Sequence, residues 1–297
     1  MKNAASFTTM IKNKQKESEH WRETARRWQQ LGPPLRPAAQ DLDFFSDLIQ
    51  EWSRHHGPPR VLLLGVTPEI YHLSWPEGTS FLAVDKSQSM IDAVWPGPQE
   101  AVQCVDWLSL TLPDNSRDIV LCDGGLHLLA YPQEQRKLVR ILHAILSDQG
   151  LFILRLYAPP PQQESPEVVL GDLMEGKIPN LNVLKLRLGM SLMESTAVGV
   201  RLGMIWQVLN EAAPDLEKLA SRIGWSGEHI MPINTFRNST DRFYFVTVNQ
   251  VTELFSINPG GFEVQGLRVP SSYGLSEQCP TIVLRRCLKA SGSVVTR

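Results

Sequence analysis

Between residues 60 and 157 the chain alternates strand-sized apolar runs with short helical stretches, and this rhythm narrows its possible folds more than any other feature. Residues 60–66 (RVLLLGV) form a nearly unbroken apolar run, as a strand buried on both faces requires. Further strands are read at 80–84, 101–105, 118–122 and 151–157 (LFILRLY). The connections carry helix signals. Thr67 is placed to cap, Pro68 suits a first helical position, and Glu69 suits the positive helix end. Ser87 is placed to cap a helix over 88–94. The strongest helix runs over 132–147, begun by Pro132, lined by Leu138, Ile141, Leu142 and Ile145, and followed by Gly150. Repeated strand–helix–strand units with short connections imply an α/β fold with a parallel, doubly wound sheet.

The flanks read differently. Residues 17–31 show a helical stripe of Trp21, Ala25, Trp28 and Leu31, stopped by Gly32-Pro33-Pro34. A second helix over 39–55 carries Leu42, Phe45, Leu48, Ile49 and Trp52 on one face. After Pro159-Pro160-Pro161 the alternation breaks, and residues 164–230 read as helical, with a weak strand signal at 243–248. A segment this long is more than a loop. It carries Met190, Met193, Met204 and Trp206, which at helical spacing read as core. A short helix near 249–256 and strands at 263–269 and 281–288 close the chain, with a frayed end expected after them.

Several classes are disfavoured. With 297 residues and 42% of them hydrophobic, the chain has ample material for a core, so global disorder is excluded. No apolar run approaches the ~20 residues of a membrane helix, and the first residues show no apolar segment of a secretion signal. The four cysteines, at 104, 122, 279 and 287, form no C-x-x-C pair, so no metal is expected. Cys104 and Cys122 are read as buried reduced thiols, in keeping with a cytoplasmic protein. Net charge is −2, but residues 1–36 carry +5 and the remainder −7. The basic arm reads either as a solvated lead-in or as a contact for an acidic partner or RNA.

The candidate site lies at the strand ends. In an open α/β sheet, ligands bind beyond the carboxyl ends of the strands near the point where strand order reverses. Gly65, Asp85, Asp106 and Asp123 each stand at such an end. Asp85 follows Gly65 by 20 residues, the usual spacing for a carboxylate that accepts from two ribose hydroxyls. Asp106 is placed to accept from an adenine amine with Trp107 beside it, and Gly124 and Gly125 let backbone approach a ligand. The loop after the first strand holds one glycine, a proline without N–H and an acid, Glu69, which disfavours the phosphates of NAD and ATP.

Through VLLLGVTPE (61–69), FLAVDKSQSMI (81–91), QCVDW (103–107), DIVLCDGG (118–125) and LFILRLY (151–157), the chain resembles the class I S-adenosylmethionine-dependent methyltransferases. That resemblance implies a Rossmann-like sheet of seven strands with the last antiparallel, and S-adenosylmethionine as cofactor. It implies that Gly65, Val66 and Thr67 face the cofactor, that Asp85 with Lys86 lies at the ribose, and that Met90 packs on the adenine. Asp106 and Trp107 then read the adenine edge, and Asp123 and Gly124 lie near the methionine end. Family members usually carry a richer glycine loop after the first strand than the GVTPE found here. The expected organisation is a helical cap at 1–56, a cofactor-binding core at 57–160, a helical insertion or lid at 161–245, and a closing helix and strands at 246–297.

Methyl transfer needs alignment of a nucleophile and exclusion of water, and a base only where the nucleophile must lose a proton. His127 and Tyr157 are the candidate catalytic residues, with His229 and Tyr244 weaker ones. A covered apolar pocket favours a small-molecule methyl acceptor over nucleic acid, and self-association is left open. The alternatives are an RNA or protein methyltransferase steered by the basic arm, and a Rossmann-like scaffold that has lost its cofactor.

Overall fold

The computed structural model describes residues 19–256 and 261–287. The basic arm ahead of residue 19 and the chain's last residues, expected to fray, lie outside them. Helices α1 (Glu19–Arg26) and α2 (Ala39–His56) lead into strand β1 (Arg60–Leu64). Then follow α3 (Pro68–Tyr71), β2 (Ser80–Asp85), α4 (Gln88–Val94), β3 (Val102–Cys104), β4 (Arg117–Asp123), α5 (Gln133–Ile145) and β5 (Leu146–Arg155). Next come α6 (Pro166–Met174), α7 (Leu181–Leu192), β6 (Val200–Arg201), α8 (Leu202–Ala212), α9 (Leu216–Arg222), α10 (Gly227–Ile230) and β7 (Arg242–Phe243). Helix α11 (Val248–Ser256) and strands β8 (Phe262–Arg268) and β9 (Thr281–Arg286) complete the described chain.

Seven strands form one sheet in the order β3-β2-β1-β4-β5-β9-β8. The pairs β1–β2, β1–β4, β2–β3 and β4–β5 are parallel, and β9 runs antiparallel to both β5 and β8. This is the Rossmann-like sheet, with its last strand antiparallel, that the sequence pattern and resemblance lead one to expect. Strand order reverses between β1 and β4, so a crevice opens at the carboxyl ends of these strands.

Side-chain alternation explains why the central strands are apolar throughout. Val61, Leu63, Ile119, Leu121 and Ile153 face one side, where they meet Phe45 and Ile49 of α2 and Met90 and Val94 of α4. Leu62, Leu64, Val120, Cys122 and Phe152 face the other, against Leu138, Leu142 and Ile145 of α5 and Val251 and Phe255 of α11. Both faces are covered, and each fully buried large aliphatic side chain contributes about 1.5–3 kcal/mol. Residues 166–236 build a separate core around α7, in which Met190 and Met193 are buried.

Several local expectations change. The first helix is shorter than the apolar stripe: α1 stops at Arg26 and a 3-10 turn carries Trp28–Gln30. Thr67 forms no side-chain cap on α3, whereas Ser87 accepts from the Met90 amide as a cap should. The strand signal at 243–248 resolves into a two-residue ladder of β6 with β7. Cys122 is buried, but Cys104 is exposed, because β3 is the edge strand and has no covering layer at that position. No helix among the described residues is long and apolar enough to cross a membrane.

At the amino end of the sheet Asp118 ties three elements together. It accepts from the Arg60 amide (2.9 Å), from Arg60 Nε and Nη2 (both 2.8 Å) and from Ser147 Oγ (2.7 Å). Burial pushes the Asp118 carboxyl up, but the hydrogen bonds from Arg60 and Ser147 outweigh it and hold the group below the usual aspartate range. A depressed folded-state value contributes stability above the unfolded-state value and loses it as pH falls. The stability difference between wild type and Asp118→Asn is therefore expected to be full at neutral pH and to shrink below about pH 4. Denaturant unfolding at stepped pH measures this, and a difference that stays constant into acid would contradict it.

Candidate active site

The order β3-β2-β1-β4 places four strand ends side by side, and the backbone fixes what each presents. Gly65 leaves β1 with φ +106°, a conformation that favours glycine, and its amide donates to the Val84 carbonyl at 2.8 Å. Asp85 ends β2; its Oδ1 accepts from the Ser87 amide (2.8 Å) and its carbonyl from the Val105 amide (2.9 Å), which sets it at the head of α4. Asp106 caps the 3-10 turn Trp107–Ser109 by accepting from the Leu108 amide at 2.8 Å. Trp107 Nε1 donates to the Val84 carbonyl at 2.9 Å, which lays its ring across the end of β2. Gly124 follows β4 with φ +63°, and a Cβ there would fall on the Tyr157 ring.

These residues line two connected spaces. A narrow slot of about 50 Å³ is walled by Trp21, Asp85, Lys86, Asp106, Trp107 and Leu128. It shares Trp21, Asp85, Trp107 and Leu128 with an inner cavity of about 140 Å³. Gly65, Val66, Thr67, Met90, Asp123 and Gly124 line that inner cavity, as do His127 and Tyr157. Every residue singled out for the cofactor, together with the candidate catalytic residues His127 and Tyr157, therefore borders one or both spaces. His229 does not share them: it lines a third, outer cavity of about 270 Å³. Tyr244 serves through its backbone, donating its amide to the His127 carbonyl at 2.8 Å.

The candidate catalytic groups are constrained. His127 is buried, with its ring 5.1 Å from Tyr157 and 4.5 Å from Phe243, and stacked on Phe245 at 5.6 Å. Burial lowers its pKa to about 3, against a smaller opposing pull from the Gly124 backbone, so the imidazole is neutral. Its Nδ1 is buried without a partner. The Tyr157 hydroxyl donates to the Pro34 carbonyl at 3.0 Å, and burial pushes its pKa far above the ordinary phenol value. Its proton is held in that bond, which does not suit a general base.

Asp123 is not presented alone. Its carboxylate receives Arg155 Nε in an ion pair whose side chains are 0% and 2% exposed. Arg155 Nη1 also donates to the Pro34 carbonyl (2.9 Å) and reaches the Tyr273 hydroxyl (3.4 Å). Burial disfavours the Arg155 charge, but the Asp123 carboxylate outweighs it and holds the guanidinium protonated. A second tie joins the loop after β1 to the N-terminal segment: Glu69 pairs with Arg36, whose Nη1 donates to the carbonyls of Trp28 and Leu31 (both 3.2 Å). Glu69 thus holds the cover over the site.

That cover supplies residues that sequence reasoning did not single out. Helix α1 contributes His20 and Thr24, and the following turn adds Trp28, already read as part of the N-terminal helical stripe, whose buried Nε1 has no partner. The helical segment contributes Lys185, Leu186, Phe236 and Phe243. Of the methionines read as core, Met190 and Met193 are buried in that segment's own core, whereas Met204 is only half-buried; Trp206 packs against that core, and its Nε1 donates to Asn234 Oδ1 at 2.9 Å. Arg155 could have been noticed as the one charge inside the apolar run 151–157. Among the described residues no group of three or more His, Cys, Asp or Glu is gathered to hold a metal.

Residues 62–154 match the family model described as a methyltransferase domain. No curated protein sequence matches the chain. Among solved structures, the CcbJ methyltransferase of Streptomyces caelestis is similar with a TM-score of 0.53 at 13% identity, over 91% of this chain and 99% of that one. A Rhodobacter sphaeroides protein described as a Zn-dependent alcohol dehydrogenase has a TM-score of 0.55 at 14% identity, over 90% and 97%. The 1,6-didemethyltoxoflavin-N1-methyltransferase of Burkholderia thailandensis has 0.46 at 13% identity, over 90% and 88%. At these identities the likeness to the Streptomyces and Rhodobacter proteins is one of fold.

Removing one member of the buried Arg155–Asp123 pair leaves an uncompensated charge, which costs about 3–5 kcal/mol. Arg155→Met is expected to lose stability on that scale, and adding Asp123→Leu to recover most of it. Urea unfolding of the two single variants and the double variant checks this; a double variant no more stable than Arg155→Met would contradict it.

Proposed function

We propose that this chain, whose residues 62–154 are a methyltransferase domain of the class I S-adenosylmethionine-dependent kind, transfers a methyl group to an oxygen or nitrogen of a small molecule. The observation that carries the acceptor class is the inner cavity, flanked by α1, the turn at Trp28 and the helical segment, and walled mainly by apolar side chains. Concave, apolar enclosures of this kind suit small molecules.

The residues at the strand ends fit the cofactor's chemistry. The slot offers aromatic faces from Trp21 and Trp107 with two carboxylates, Asp85 and Asp106, as acceptors at its border. Nothing in the loop 65–69 is arranged as a phosphate cradle: Pro68 has no N–H, and Glu69 is engaged by Arg36. A nucleoside without phosphate matches that set. In this reading Asp85 takes the ribose hydroxyls, Asp106 the adenine amine, and Met90 and Trp107 the flat faces of the base. Exposed Lys86 stands at the rim of the slot. Gly65, Val66, Thr67, Asp123 and Gly124 then border the methionine end. When bound, S-adenosylmethionine supplies a methyl group on a sulfonium, already activated for in-line displacement.

What remains for the chain is orientation and dryness. The partnerless Nδ1 of neutral His127 is available to hydrogen-bond the acceptor's nucleophilic group and hold its lone pair in line, a positioning role. The Tyr157 ring supports the Gly124 turn through the close approach that glycine permits there.

Calorimetric titration with S-adenosylhomocysteine, with NAD and ATP alongside, tests this. Binding of S-adenosylhomocysteine alone is expected, with a loss of at least about 30-fold in Asp85→Ala, which removes a charged hydrogen-bond acceptor worth roughly 2 kcal/mol or more. No binding by the folded protein, or unchanged binding by Asp85→Ala, would reject the cofactor site described.

A further inference from the structure

Helix α7 is buried on almost every side, and it carries two cations that are treated in opposite ways. Arg187 is matched by two carboxylates, Glu164 (Nε–Oε2 3.0 Å) and Asp172 (Nη2–Oδ2 2.8 Å). Lys185, two residues earlier and only 7% exposed, has no carboxylate partner among the described residues. Its one described contact is the face of Phe236, with Nζ 5.0 Å from the ring centroid. A buried ammonium without a counter-ion is costly. Burial alone pulls its pKa down to about 8, which leaves it mostly charged at neutral pH.

Its position gives that charge a direction. Lys185 borders both the inner cavity and the outer one, and His20, Thr24 and Leu31 are the other residues shared between them. It therefore stands where a molecule would pass from the outer cavity toward Gly124 and His127. The neighbours do not neutralise it. His20 packs edge-on against Phe236 at 4.9 Å and is held neutral, at about 3, by burial and by the nearby Lys185 and His127. In the outer cavity Glu23 is taken by Arg27, whose Nη1 also donates to the Glu228 carbonyl at 2.9 Å. Of the inner cavity's two carboxylates, Asp123 is taken by Arg155, and Asp85 accepts from the Ser87 amide at the head of α4.

We propose that Lys185 is an anion-recognition residue for the methyl acceptor, and that the acceptor is a flat, mostly apolar organic molecule bearing one anionic oxygen group, a carboxylate or an ionised acidic hydroxyl. The inference rests on the small-molecule methyltransferase reading above and sharpens it. The aromatic walls from Trp28, Phe236 and Phe243 provide for the flat body, and Lys185 for the charge.

The test uses the full chain and matched probes: benzoate against benzamide for the carboxylate, and 4-nitrophenolate against nitrobenzene for the ionised hydroxyl. Binding is read by ligand-observed NMR with S-adenosylhomocysteine present and absent. The expected result is that at least one anion binds at least tenfold more tightly than its neutral counterpart, and that Lys185→Met abolishes the preference. Which anion is preferred separates a carboxylate from an ionised hydroxyl. Thermal melting checks that the variant is folded, and removing a buried unpaired charge is expected to raise its Tm. Should Lys185→Met fail to fold, Lys185→Gln takes its place under the same criteria. No preference in wild type, or a preference that survives the substitution, would overturn the proposal. S-adenosylhomocysteine binding without anion preference rejects the Lys185 role and leaves the methyltransferase reading intact; anion preference without S-adenosylhomocysteine binding does the reverse.

Discussion

The buried pair between Arg155 and Asp123 organises everything above the sheet. Each partner ends one of two adjacent parallel strands, at the carboxyl edge where a ligand would lie. Removing both charges from water costs several kcal/mol per ion, so the arrangement holds only where the contact is close and additional hydrogen bonds are made. Those bonds reach outward, to the Pro34 carbonyl and to the Tyr273 hydroxyl. The segment between α1 and α2 is thereby fastened to the sheet edge, and Tyr157 adds a second bond to the same carbonyl. The ion pair thus positions the cover as well as one wall of the cavity.

The Arg36–Glu69 pair extends the same logic to the loop after β1. In a dinucleotide-binding sheet this loop offers backbone amides to a pyrophosphate. Here it offers a carboxylate to an arginine from the N-terminal segment, and that arginine also holds the carbonyls that end the Trp28 turn. One exchange of chemistry removes a phosphate site and closes a roof. The loop's reduced glycine content follows, since with no phosphate to approach only the exit from β1 at Gly65 demands positive φ.

The site lies on a seam between two kinds of packing. Below it, parallel strands pack against helices on both faces; above it, the helices of residues 166–236 form their own core. Neither core fills the space between them. Among the side chains that face into it are two buried nitrogens left without partners, His127 Nδ1 and Trp28 Nε1, and the ammonium of Lys185, which lies over the face of Phe236. Unsatisfied groups of this kind are expensive inside a protein and tend to collect where a ligand completes them.

Much of this was legible in the chain before any fold was built. Apolar runs of strand length alternating with helix signals specify a parallel sheet, because only strands covered on both faces need to be apolar throughout. Gly65, Asp85, Asp106 and Asp123 could be placed at strand ends for the same reason. Other features gave no local sign. Lys185 sits in an apolar helix whose sequence does not distinguish a lysine that reaches solvent from one turned inward. His20, Phe236 and Lys185 are separated by 50 or more residues and meet only because the insertion folds back over α1. Cys104 read as buried because its apolar neighbours do not reveal that β3 is an edge. Periodicity determined the elements and the strand ends, since backbone geometry ties burial to spacing along the chain. The pairing of Asp123 with Arg155, the roof held by Arg36, and the lone charge of Lys185 were decided by tertiary structure. Such contacts arise from packing between distant segments, which no local pattern encodes.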